Sequence, residues 1–320
     1  MLICEICEPF FQTYIMKFKI LFFLITISNF AFAQSVNDKT KPLQTAGYSM
    51  VEDTIAENRI EAASKFKDLL VKELKKKKSF SNRLDSLPML NIVIAPDSSF
   101  RIITWQMKAS SLDYRIFGIL QLNNSSGTIS ILKNNEAKIK NTDLAILTPN
   151  NWLGALYYNM QPFKGDKGEK GKMYLLFGYN AHNDFNHRKI CDVLYFDNGS
   201  PKFGAPVFVK ENKENRFRLV FEYSAETKMR LNYDKQLEAV VFDKLDASVS
   251  EYKDQLEFAG LSPMIYAPSG SYDGYKLHRG EWKYVQEVVK TSVMEAAPVP
   301  RPVFEGQRGN NPITGGLKKN

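Results

Sequence analysis

"RKICDVLYFDNGSPKFGAPVFVK", Arg188–Lys210, decides the fold. Two strand-like runs, "RKICDVLYF" and "KFGAPVFVK", flank Asp197-Asn198-Gly199-Ser200. Asn-Gly is the pair that a two-residue hairpin turn requires, because both central positions need positive φ. So short a connection forces antiparallel pairing, since a parallel crossover needs a dozen or more residues. The next runs, "RFRLVFEYS", "KMRLNYD" and "LEAVVFDKL", keep the period of two. Phe217, Leu219, Phe221 and Tyr223 share one face, and Met229, Leu231 and Tyr233 share a face of the following strand. Both sets are expected in a core between sheets.

Upstream the same pattern reaches back to Met89 through "NIVIAP", "SFRIITWQM", "YRIFGILQL", "GTISILK", "NWLGALYYNM" and "KMYLLFGYN". In Phe100–Met107, Phe100, Ile102 and Thr104 alternate with Arg101, Ile103 and Trp105. About 14 strands in residues 88–290 predict a mainly β fold, an antiparallel up-and-down meander. Its architecture is either an incomplete propeller or a two-sheet sandwich. Three proline turns, at Pro96, Pro149 and Pro268, hint at a repeat of roughly 40 residues, the blade length of a propeller. The strands lack the aromatic girdles of a membrane barrel.

Ahead of the strands, Ile55, Arg59, Ala62, Phe66, Leu69, Leu70 and Leu74 mark one amphipathic helix over 48–80, packed on the β-domain, its stripe broken by Arg59. Lys75-Lys76-Lys77-Lys78 ends it, where cations suit the helix dipole. Residues 34–47 are polar and unpatterned and read as a linker. Residues 1–33 read as a signal peptide: Met16-Lys17-Phe18-Lys19 is basic, Ile20–Ile27 is apolar, and Ala31-Phe32-Ala33 is a small-residue cleavage site. Residues 1–15 read as a misassigned extension before a true start at Met16. Residues 298–320, rich in Pro, Gly and Asn, read as a disordered tail. No later apolar run is long enough for a membrane span. After cleavage roughly 285 residues remain, enough for one large β-domain or two small ones.

Chemistry is sparse. Only Cys191 lies after the signal peptide, within an apolar strand where a thiol packs as a small hydrophobe. His182, Asp184 and His187 in "HNDFNH" are candidate metal ligands, but the spacing on a loop is unspecific. No Gly-x-Ser-x-Gly elbow is present, and Gly165–Gly171 lacks the phosphate-loop signature. Asp192, Glu222, Asp243 and Asp273 lie on or beside strands near aromatic residues and are candidates for a carboxylate pair of the glycosidase kind. Trp105, Tyr272 and Tyr275 are candidate ligand-binding aromatics. No cofactor is expected. The net charge of +8 is scattered, and without a nucleic-acid-binding motif no nucleic-acid partner is expected.

"SFSNRLDSLPMLNIVIAPDSSFRIITWQM", "YRIFGILQL", "NWLGALYYNM", "FRLVFEYSAETKMRLNYD" and "APSGSYDGY" together resemble uncharacterised secreted proteins of Bacteroidetes-type bacteria. The resemblance covers most of residues 48–290 and carries no catalytic residue. It implies a periplasmic or extracellular setting in a Gram-negative cell. The expectation is an exported, non-catalytic envelope protein that binds or assembles with an envelope protein or polysaccharide. The alternative is a carboxylate-dependent glycan hydrolase.

Overall fold

The computed structural model describes residues 41–165, 171–210, 214–258, 260 and 262–289. The expected signal peptide, its extension and the tail lie outside the described residues, as do Cys4 and Cys7.

The fold is mainly β and antiparallel, with helices ahead of it, as the alternation predicts. Three sheets follow one another along the chain. Sheet I is a four-stranded meander of β1 (Asn91–Ile94), β2 (Phe100–Ser110), β3 (Asp113–Leu122) and β4 (Ile129–Lys133). Sheet II holds β5 (Leu156–Lys164), β6 (Lys172–Asn180), β7 (Asn186–Asp197) and β10 (Leu219–Ser224), with β8 (Ser200–Phe203) also on β7. Sheet III is β11 (Leu231–Asp234), β12 (Ala239–Val249), β13 (Met264–His278), β14 (Glu281–Val285) and β9 (Phe208–Val209).

Each gap between layers is filled by its own core. Phe100, Ile102 and Leu120 of sheet I meet Leu176, Ile190 and Leu194 of sheet II. Cys191, Val193 and Leu219 of sheet II meet Leu231, Phe242 and Trp282 of sheet III. Helix residues Phe66, Leu70 and Leu74 meet Ile103, Trp105 and Ile119 on the far face of sheet I. The β2 alternation therefore divides as read, Phe100 and Ile102 to one core, Ile103 and Trp105 to the other. A strand covered on both faces has no polar side, which is why β6 is almost continuously apolar from Met173 to Tyr179, while β7 is so only from Ile190 to Phe196, Asp192 apart. Of the expected inter-sheet set, Leu219, Phe221, Tyr223, Met229, Leu231 and Tyr233 lie in the core between sheets II and III; Phe217 does not, because it precedes β10 and its backbone bonds to Asp143 and Ala205 instead.

The Asn198-Gly199 turn is as expected, with φ of 48° and 76°, and it joins β7 to β8. "KFGAPVFVK" is not one strand. Gly204 (φ +93°) ends β8, and a Cβ there would fall 2.7 Å from the Ala145 carbonyl and against the Arg218 guanidinium. The chain then crosses to sheet III, where β9 pairs in parallel with β14, before β10 returns to sheet II. This exchange departs from a pure meander.

The repeat is corrected outright. Pro96 stands in the turn between β1 and β2, Pro149 opens a 3-10 helix, and Pro268 lies inside β13 opposite Leu245, beside a register shift. The three prolines do unrelated jobs. Two layers of the sandwich expectation become three sheets plus a helical layer.

The linker and the single helix are also corrected. Residues 41–52 are helical (α1), and Leu43, Ala46 and Met50 are buried. Gly47 lets this helix lie close to Phe66 and Met89. The buried stripe is short, Leu43 and Met50 with Ala46 and Gly47 between them, and is surrounded by polar residues, so the average composition looks polar. At Asp53 the helix stops. Its carboxylate accepts from the Ile55 N–H at 2.8 Å, and α2 (Ala56–Leu74) begins anew. Ile55, expected on the stripe, is exposed. Arg59 interrupts the stripe because it donates to the Lys108 carbonyl of β2 at 2.7 Å.

Beyond the C-terminus of α2 sits buried Arg101. Its Nε donates to Gln121 Oε1 at 2.8 Å, and its Nη atoms donate to the Asn82 and Ser79 carbonyls at 2.6 and 3.0 Å. Gln121 in turn donates to the Leu74 carbonyl at 2.9 Å. Helix ends leave carbonyls without intrahelical donors, and a cation suits that pole of the dipole. Lys75–Lys78 are exposed there, a solvated helix end. Arg101→Met removes the donor to three acceptors at once. We expect a loss of about 3 kcal/mol in denaturant unfolding; a change of less than about 0.5 kcal/mol, the range of ordinary surface substitutions, would show that Arg101 does not hold α2 to sheet I.

Candidate functional site

The four candidate carboxylates are each held by donors of the protein itself. Asp192 is opposite Arg218 across β7 and β10, following the Leu219–Cys191 register. Both side chains are fully buried, 3.0 Å apart. Arg218 also donates to the Phe203 carbonyl at 3.0 Å and to the Thr142 carbonyl. Burial pushes the Asp192 carboxyl up, and the Arg218 guanidinium opposes that. Asp192 Oδ2 has no hydrogen-bond partner among the described residues. Glu222 accepts from Arg188 Nε at 2.8 Å, and the same guanidinium binds Glu136. Asp243 accepts from the Arg230 N–H. Asp273 accepts from the Tyr284 hydroxyl and, at 3.0 Å, from the Glu287 N–H. Because Phe242 pairs with Asp273 and Asp243 with Tyr272, the two aspartates project from opposite faces of sheet III. They do not confront one another.

The proposed metal ligands are not brought together. Asp184 is engaged by Lys108 at 2.6 and 2.7 Å and by the Tyr114 hydroxyl at 2.7 Å. These bonds hold its carboxyl below its ordinary range. His187 packs edge-on between Tyr179 and Tyr223. His182 stands in a turn with φ 50°. Among the described residues no three His, Cys, Asp or Glu side chains group to hold a metal ion. Cys191 is buried and burial raises its thiol well above the ordinary value. Tyr275 is a core residue, and Tyr272 lies beneath the Arg230 guanidinium.

Of the sequence candidates, Trp105 and His182 border one sizeable cavity, and Asp184 borders another of about 570 Å³ beside Tyr252 and Leu256; the first is built on sheet I. Register carries Trp105, Phe117 and Lys133 side by side across β2, β3 and β4, on the face turned toward α2. Helix α2 packs over β2, while Ile131 and Lys133 of β4 stay exposed. The remaining groove has a volume of about 980 Å³, at the upper end of ordinary ligand pockets. Trp105 stacks on Phe117 (centroids 5.5 Å apart, 12° between planes) and meets Phe66 edge-on. Its Nε1–H, fully buried, makes no hydrogen bond among the described residues; an unmet buried donor costs about 1–3 kcal/mol.

Lys67, Lys133 and Lys138 line this groove, and among the described residues no hydrogen bond or ion pair engages their ammonium groups. Arg115 pairs with Asp113 at 3.0 Å. Glu136 and His182 form the far wall. Glu136 also borders a second, smaller cavity of about 250 Å³ with Arg188 and Glu222. That is below the usual ligand range, and Arg188 binds both of its glutamates. Glu136, Arg188, Arg218 and the three lysines are absent from the sequence candidates. Only an inward Arg in "RFRLVF" gave any signal for one of them.

No helix among the described residues is long and apolar enough to cross a membrane. The architecture is thus that of a layered, mainly β protein with a groove between its helical layer and first sheet. The chain matches no protein-family model, no curated protein and no solved structure.

Two predictions follow from these electrostatics. Arg218→Met leaves Asp192 buried without a counter-charge and should cost about 4 kcal/mol, most of it regained in the double variant Asp192→Leu/Arg218→Met. Equal unfolding midpoints for the single and double variants would show that the charges are not coupled. Burial holds the His182 and His187 imidazoles below their ordinary value. As pH falls through about 6.5 the unfolded chain therefore takes up protons first, so stability present at pH 7 declines toward pH 5.5. His187→Phe keeps the ring packing and should flatten that decline in thermal melts; an identical slope in both proteins would exclude His187 as a source.

Proposed function

We propose that this is an exported, non-catalytic binding component of a bacterial envelope, with the groove between α2 and β4 as its binding site. One contrast carries the reading. Every candidate catalytic carboxylate is already occupied by a donor within the fold, while the ammonium groups of the three lysines around the 980 Å³ groove have no partner among the described residues. A general acid needs a carboxyl free to meet substrate. Asp192, Glu222, Asp243 and Asp273 are structural ties instead. The signal-peptide pattern and the resemblance to secreted proteins support export, to the periplasm or the cell exterior.

Two measurements test this. The protein recovered from outside the cytoplasm should begin at Gln34. Incubation with a panel of envelope and environmental glycans should release no new reducing ends. Release that Glu222→Gln abolishes would overturn the binding reading in favour of the hydrolase, and a mature chain still beginning at Met1 or Met16 would overturn export by cleavage.

A further inference from the structure

The groove has a chemical character of its own, and we infer, resting on the binding reading above, that its ligand is an amphipathic anion: an aliphatic body carrying a carboxylate or similar acidic head. Two observations converge on this.

The first is charge. Lys67 on α2, Lys133 on β4 and Lys138 beyond it line the groove, and among the described residues no carboxylate pairs with any of them. The acids nearby, Asp113 and Glu136, are committed to Arg115 and Arg188. A concave surface with one sign of charge in excess concentrates ligands of the other sign. Lysines are point charges and impose no bidentate geometry, so the head is recognised by charge.

The second is the nature of the exposed apolar surface. Leu112 is 52% exposed and Ile131 40%, and both line the groove. Both are aliphatic. Trp105, in contrast, is fully enclosed, with Phe117 stacked on it and Phe66 against its edge. Trp105 therefore offers no face on which a sugar ring can stack. Leu112 and Ile131, beside the partly buried Tyr114 and Phe117, give the groove an apolar floor, and an apolar floor with a cationic rim suits an acyl chain carrying an acidic head.

The experiment uses the full chain and three probes: laurate below its micellar concentration, dodecanol, and glucuronate. Calorimetric titration should show laurate bound, with dodecanol and glucuronate each at least tenfold weaker. The triple variant Lys67→Gln/Lys133→Gln/Lys138→Gln should weaken laurate about tenfold, since each exposed charge contributes modestly. Ile131→Ser should weaken it severalfold. Lys77→Gln, a lysine outside the groove, should leave it unchanged. All these positions reach the surface, and circular dichroism melts confirm that each variant folds. Dodecanol bound as tightly as laurate would overturn the anionic requirement, and glucuronate bound as tightly would overturn the aliphatic one. In either case the groove survives as a binding site. Laurate binding unchanged in the triple variant and in Ile131→Ser would overturn the assignment to this groove. Failure of all three probes to bind overturns the ligand class; only reducing-end release from glycans, lost in Glu222→Gln, would also overturn the binding reading.

Discussion

A carboxylate and a guanidinium shut away from water, Asp192 and Arg218, hold the centre of the molecule together. Neither charge could stay buried alone, because the desolvation of an unpaired ion costs several kcal/mol. Their pairing fixes β10 against β7, and the remaining Arg218 donors fasten two loop carbonyls, those of Phe203 and Thr142. Gly204 is the backbone's concession to this arrangement, since a side chain there would strike the guanidinium. The turn at Gly204 sends the chain away from β8 and toward sheet III. One buried pair thus governs where sheet II ends and how the next layer begins.

A second buried cation performs a related task one layer away. Arg101 meets backbone carbonyls near the end of α2 where Arg218 meets a carboxylate and carbonyls. It anchors the helical layer to sheet I near the β1–β2 turn. The opposite end of α2 is tied through Arg59 to the Lys108 carbonyl. Held at both ends over β2, the helix cannot spread over β4, and this restriction creates the groove. The groove is thus a consequence of how the helix is moored.

Local patterning made much of this visible. The two faces of β2, the apolar continuity of β6 and the Asn198-Gly199 turn all express periods and turn chemistry confined to a few residues. Trp105 and Asp192 stood out for the same reason: a large or charged side chain in a run that otherwise packs. What stayed hidden depends on pairing across distance. Arg218 is the partner of Asp192 only because β10 returns to β7 after β9 has left. Lys67 and Lys133 become neighbours only when α2 settles on sheet I. The helix at 41–52 escaped notice because its buried side consists of Ala46, Gly47 and two larger residues, a stripe too slight to raise hydropathy. The apparent proline repeat failed because proline suits a turn, a helix start and a bulged strand equally well.

The crossing of β9 also bears on how the chain comes to its final state. Sheet I can assemble from consecutive segments as soon as they are available. Sheets II and III also pair most of their strands consecutively, but each takes one edge strand out of order: β10 joins β7 after the chain has left it, and β9 has no strand to lie beside until β14 arrives near the end of the described chain. A chain cut short before β14 would leave β9 without a partner strand and the edge of β13 open.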